Sequence, residues 1–142
     1  MDLHPTEEAF WLWLDWFGGA RLAELPPGIT LRRQLVLSNN QLVDGLPDNL
    51  TVKGGVGVYL NGCVNLRALP DGLRVFGVLD AIGCYSLLTI GRGCQVDGPA
   101  FFQDCPSLKS IPCDFHCSGE VWVDDHMAVL GGEGLKIMRI GS

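Results

Sequence analysis

The chain has no apolar run long enough to cross a membrane. Its longest, Ala9 to Phe17, is broken by Asp15 and falls far short of the roughly 20 residues a spanning helix requires. A basic, apolar, small-residue leader is also missing, so the expectation is a soluble protein that folds in a cytoplasm. Cations are few, ten Lys and Arg against sixteen Asp and Glu for a net charge of -6. Apart from the Arg32-Arg33 pair they are scattered through the sequence. Nucleic acid rewards clustered cations through counterion release, so neither nucleic acid nor membrane is an expected partner. There is no G-x-S-x-G, no phosphate-binding glycine loop and no H-E-x-x-H, and an enzyme is not expected.

What the chain does have is recurrence at a step of 21 residues. The run Leu73-Arg74-Val75, Gly77, Leu79-Asp80-Ala81, Cys84, Leu87, Ile90 is answered by Cys94-Gln95-Val96, Gly98, Ala100-Phe101-Phe102, Cys105, Leu108, Ile111. A third copy follows as Phe115-His116-Cys117, Gly119, Val121-Trp122-Val123, His126, Val129. Fixed-period self-similarity is the signature of stacked coils, each burying its apolar side only against its neighbours.

The period also explains the cysteines. Six might suggest a disulfide scaffold, yet Cys63, Cys84 and Cys105 share one repeat position. Equivalent residues of stacked coils lie about 4.8 Å apart, so these become reduced fillers of one interior column. The third copy places His126 in that column.

Corners are marked by Leu25-Pro26-Pro27-Gly28, Leu46-Pro47-Asp48-Asn49, Leu69-Pro70-Asp71-Gly72, Ile90-Gly91-Arg92-Gly93 and Ile111-Pro112-Cys113-Asp114. Proline presets its own φ, and Gly or Asn tolerates the positive φ that follows. After each corner come two apolar-x-apolar triplets, such as Leu73-x-Val75 and Leu79-x-Ala81, the pattern of short strands with one face buried. Each coil therefore predicts two strands, stacked into two parallel ladders. The first coil reads as one residue short between Leu35 and Leu42; the second carries extra residues around Gly54, Gly55 and Gly57.

The ends differ in kind. Thr6 is a candidate N-cap for a helix over residues 7–17, Glu7 and Glu8 suit its positive start, and Gly18-Gly19 stop it. Its aromatic side predicts a lid for the first coil, with a membrane or partner role for Trp11, Trp13 and Trp16 as the rival. Helices that lie on membranes carry Lys and Arg on the polar face, whereas this one carries Glu7, Glu8 and Asp15. Beyond Val129 the alternation Leu135 to Ile140 predicts a closing strand. The expected organisation is a single domain, 1–142: a capping helix within 1–19, coils over 20–130, a C-terminal cap over 131–142.

The units Asn61-Gly62-Cys63-Val64-Asn65-Leu66-Arg67-Ala68-Leu69-Pro70 and Asp104-Cys105-Pro106-Ser107-Leu108-Lys109-Ser110-Ile111-Pro112 resemble short bacterial leucine-rich repeats, in which an L-x-L strand precedes Asn or Cys and then L-x-x-L-P. Leu35-Val36-Leu37-Ser38-Asn39-Asn40-Gln41-Leu42 resembles the Asn version, with Asn39 or Asn40 in the cysteine's place. The resemblance runs from about Leu22 to Val129. Together with the corners, triplets and helix signals, the fold expected is mainly β with one N-terminal helix, an LRR-like or β-solenoid array of about five short coils with parallel strand ladders. The resemblance further implies a protein-binding face of the kind used by host-interaction effectors, working in the producing cell's cytoplasm or, after delivery by a specialised secretion system, in a host's.

If the apolar residues of the second strand face in, the residues between them face out. That places Val36, Tyr59, Asp80, Phe101 and Trp122 in one exposed column, flanked by Asn61, Ile82, Gln103 and Asp124 on one side and by Val78, Pro99 and Glu120 on the other. Aromatic anchors with a polar rim are what protein interfaces enrich. The candidate partner-binding set is thus Tyr59, Asp80, Phe101, Trp122, Asn61, Gln103, Asp124 and Glu120, with a basic protein surface as the matching partner. A ladder that merely stabilises itself and a homo-oligomer are the alternatives for this face. Cys113, His116, Cys117 and His126 make the only cluster with metal-ligand or thiol-enzyme chemistry, with Asp114 or Asp125 as candidate acids. It lacks a C-x-x-C knuckle, and no metal or cofactor is expected.

Overall fold

The computed structural model describes residues 6–53, 57–130 and 134–139. It is a β-solenoid of about five turns behind one helix. Sheet one stacks β1 (Thr30–Leu31), β3 (Thr51–Val52), β6 (Arg74–Val75), β9 (Gln95–Val96) and β12 (His116–Cys117). Sheet two stacks β2 (Leu35–Val36), β4 (Gly57–Tyr59), β7 (Val78–Asp80), β10 (Ala100–Phe102), β13 (Glu120–Val123) and β15 (Lys136–Arg139). All pairings are parallel and join equivalent positions of successive coils, as in Val75 with Val96 and Leu79 with Ala100.

The structure adds a third side to the two expected ladders. β5 (Ala68–Leu69) pairs with β8 (Thr89–Ile90), and β11 (Ser110–Ile111) with β14 (Ala128–Val129). These are the closing Leu or Ile positions, and a single inward residue per coil leaves no alternation from which a strand could be read.

Inward residues of every coil form one continuous cluster, from Phe10 and Leu22 to Val123 and Met127. No polar or charged residue is buried among the described residues. Two columns of left-handed residues turn the chain. One is Asn49, Gly72 and Gly93, with φ of 56, 69 and 67°, at the expected corners. The other, Asn39, Gly62, Gly83 and Asp104, with φ of 60, 75, 76 and 56°, makes a bend after sheet two. Asn and Asp join Gly there because their short polar side chains tolerate αL.

Of the two expected irregularities one is absent and one is present, and a third is new. The first coil is not short: Val43 is fully buried, whereas Leu42 is 56% exposed. Asn40 stands in the cysteine's place, its Oδ1 accepting from the N–H groups of Leu42 and Val43 and its Nδ2 donating to Gly18 O. The extra residues of the second coil do lie between Val52 and Val58, since both flanking ladders step by 23 there; Gly54 and Gly55 are outside the described residues. The shortened coil is the last one, where the step falls from 21 at Phe102–Val123 to 18 at Ser110–Ala128. His126 is consequently exposed and is no column filler, Met127 is buried in its stead, and Val129 aligns with Ile111 rather than Leu108.

The helix α1 (Glu7–Phe17) has the expected bounds. Thr6 Oγ1 accepts from Ala9 N, and Gly18 ends it in αL with its N–H on Leu14 O. Phe10 is fully buried, and Trp11, Trp13 and Leu14 pack against the core cluster. Glu7 Oε2 accepts from Arg32 N at 2.8 Å and from Trp11 Nε1 at 3.0 Å, tying the helix to the first strand of sheet one. Arg33 lies 4.0 Å over the Trp11 ring. The helix therefore covers the first coil. No helix among the described residues is long and apolar enough to cross a membrane.

Candidate functional site

Parallel pairing with constant register brings the outward column together. Val36 pairs with Tyr59, Tyr59 with Asp80, Asp80 with Phe101, and Phe101 with Trp122. Val36 is exposed, and the other four are half-buried against their neighbours in the row. β15 adds a member that the sequence reading missed: Met138 pairs with Trp122. The alternation over Leu135–Ile140 signalled the strand, but a step of 16 in place of 21 hid its register.

The rings of Phe101 and Trp122 stack with centroids 6.3 Å apart at 14°. Each covers part of a face of the other, and the row continues to Asp80 beyond Phe101 and to Met138 beyond Trp122, so the ring edges are what a partner would meet.

The polar members are more committed than the sequence implied. Asp80 Oδ1 accepts from Ile82 N at 3.1 Å, and Asn61 Oδ1 from Ser38 Oγ at 2.7 Å. Asp124 receives the N–H groups of Asp104 and Cys105 at 3.0 and 3.1 Å. Glu120 faces Lys136 at 3.7 Å. Four of the eight candidate residues thus brace one coil on the next or a strand end on itself. Gln103 Oε1 is buried and has no hydrogen-bond partner among the described residues.

Charge separates between the faces. The outward side of sheet two carries Asp80, Glu120 and Asp124 against Lys136. Sheet one gathers Arg32, Lys53 and Arg74, scattered in sequence, on successive coils, with Asp97 3.5 Å from Arg74. Coil stacking creates this clustering; a linear scan for basic runs has no signal for it.

The Cys and His cluster is dispersed. Cys113 is exposed at a corner, and His116 points outward from β12. Cys117 is buried with Sγ donating to Gly98 O at 3.0 Å, and His126 Nε2 lies 3.0 Å from Leu108 O. Among the described residues no three His, Cys, Asp or Glu side chains converge as metal ligands.

The column cysteines are in similar surroundings. Cys63, Cys84 and Cys105 donate to the carbonyls of Leu37, Leu60 and Ala81 at 3.0, 3.1 and 3.1 Å, each one coil below. Burial disfavours the thiolate and pushes Cys84 up to about 12 and Cys94 and Cys105 to about 11. Cys63 and Cys117 are raised for the same reason. These shifts run opposite to what a thiol nucleophile needs.

Comparison with protein-family models, with curated proteins and with solved structures gives no match.

Proposed function

We propose that the chain is a non-catalytic protein-binding module, an effector, inhibitor or adaptor, which docks a protein on the outward face of sheet two. One observation carries the reading: Tyr59, Phe101 and Trp122 share a single strand face in constant register, half-exposed and held by ladders on both sides. A rigid aromatic row gives a partner large contact area at little ordering cost. The acids beside it favour a basic partner surface, and one sensible target is the nucleic-acid-binding groove of an enzyme that the module would cover. The resemblance to short bacterial leucine-rich repeats points the same way, and the raised thiols give no support to a thiol enzyme.

The test places a photo-crosslinking amino acid at Tyr59, or at Thr51 on sheet one, in the full chain in its native cell. The expected result is one defined protein adduct from position 59, weakened by salt and lost when Trp122→Ala is added. Equal adducts from both positions, or an adduct indifferent to Trp122→Ala in a folded protein, would reject this face.

A further inference from the structure

The outward row of sheet two dips at one place. Register puts Asp80 between Tyr59 and Phe101, one rung from each. Its side chain is shorter than either ring, so over Asp80 a slot opens between two aromatic walls that stand two rungs, ~9.6 Å, apart. The walls do not close on each other: among the described residues the ring pair within this row is Phe101 with Trp122, which braces the Phe101 wall from behind. The floor is oriented. Asp80 Oδ1 accepts from Ile82 N at 3.1 Å, and Oδ2 has no partner among the described residues. The neighbouring acids are committed, Glu120 to Lys136 and both Asp124 oxygens to backbone N–H groups. The chain's own cations leave the row's rings open: among the described residues, cation–π contacts fall on Trp11, Trp13, Phe17 and Phe76.

We propose that this slot receives one arginine side chain of the docked protein, its guanidinium seated between the rings of Tyr59 and Phe101 and above the Asp80 carboxylate. The slot belongs to the docking face proposed above and rests on that reading, adding which side chain of the partner the face selects. A partner lying flat on the row meets ring edges, whereas a single side chain can enter between the faces. Ring faces and a carboxylate both attract a cation. The width suits a guanidinium: that of Arg33 lies 4.0 Å over Trp11 and that of Arg74 4.6 Å over Phe76. Two such distances set back to back nearly fill two rungs. A planar guanidinium can stack on both walls at once while an edge N–H donates to Asp80. A lysine ammonium is a compact, strongly hydrated point charge without a flat face to stack, so arginine is the better occupant.

Titration of the full, isotope-labelled chain with N-acetylarginine amide, followed by NMR of the Tyr59 and Phe101 ring protons, tests the slot. Saturable shifts at both rings are expected. The uncharged isostere N-acetylcitrulline amide should give none, and N-acetyllysine amide should bind more weakly. Asp80→Asn keeps the acceptor for Ile82 N, so the fold persists, as circular dichroism checks, and it should weaken the arginine probe about three- to fivefold. Shifts absent from these rings, equal shifts from the citrulline probe, tighter binding of the lysine probe, or an affinity unchanged in folded Asp80→Asn overturns the slot. The two readings fail separately. A protein adduct from position 59 without probe binding leaves the docking face standing and removes the slot; probe binding without any such adduct keeps the slot as an arginine site and removes the docking.

Discussion

The thiol of Cys84 donates to the carbonyl oxygen of Leu60, one coil below, at 3.1 Å, an oxygen that also receives the N–H of Cys63 at 3.0 Å. The filler column is therefore a hydrogen-bonded ladder as well as a packed one. Cys84→Ala removes a donor and leaves a small void, and is expected to cost about 1–2 kcal/mol in chemical denaturation. Cys84→Ser keeps a donor and loses less. Equal stability of the alanine variant and the parent would show that the ladder contributes nothing.

Thiol reactivity separates the column from the surface. Native protein at neutral pH is expected to take one alkyl group, at exposed Cys113, and six after unfolding. Intact-mass measurement reads both numbers, and rapid native labelling of Cys84 or Cys105 would contradict their burial.

The same burial fixes a pH dependence. Thiols at an ordinary value of 9.0 when unfolded are raised to about 11 or 12 when folded, so the folded state binds protons more tightly. Their contribution is complete below about pH 9 and is lost as pH climbs through about 11 to 12. Denaturation midpoints should fall over that interval, and the fall should be shallower in Cys84→Ala.

Much of this architecture is legible in the sequence because stacking converts a constant step into a constant environment. Cys63, Cys84 and Cys105 each donate to a carbonyl of the coil below, and the helix bounds follow from Thr6 and Gly18. The third side was missed for want of alternation, and two further misses fall where the step changes. At the last coil a loss of three residues moved His126 out of the column and put Met127 in. At β15 a short return hid the pairing of Met138 with Trp122. The alternation correctly placed the outward column, but periodicity cannot say whether an outward carboxylate is free. Asp80 and Asp124 both cap backbone N–H groups, which only the folded bends bring within reach.

The stack of Phe101 on Trp122 is a measurable coupling. A double-mutant cycle with Phe101→Ala and Trp122→Ala is expected to return about 0.5–1.5 kcal/mol of interaction beyond the single effects. A coupling near zero would mean the rings merely coexist on the surface and are free to turn toward a partner.

Close approach of backbones at the bend after sheet one sets a steric limit. A Cβ at Gly119 would sit 2.6 Å from the Gly98 carbonyl carbon and from Pro99 N, in backbone that has no side chain to move aside. Gly119→Ala is expected to destabilise by more than about 2 kcal/mol through displacement of β13. A control at Gly93 is uninformative despite open space, because its φ of 67° adds strain of a different kind.

Acid should loosen the lid before the coils. Glu7 is held below its ordinary 4.5 chiefly by the Arg32 N–H, then by Trp11 Nε1. A carboxylate depressed on folding contributes stability that is present above its unfolded value and lost as pH falls through the folded one. As pH falls below the ordinary 4.5 and through the depressed folded value, the contact with Arg32 N weakens, and the helix end carrying Trp11 is released while the ladders, which bury no ionised group among the described residues, persist. Trp11 sits beneath Arg33 and bonds Glu7 directly, so tryptophan fluorescence should report an acid transition while circular dichroism of the sheets stays constant. Glu7→Gln keeps an acceptor oxygen but removes the charge. It should cost less than about 1 kcal/mol at neutral pH and abolish the acid transition; a transition unchanged in that variant would assign it to another carboxylate.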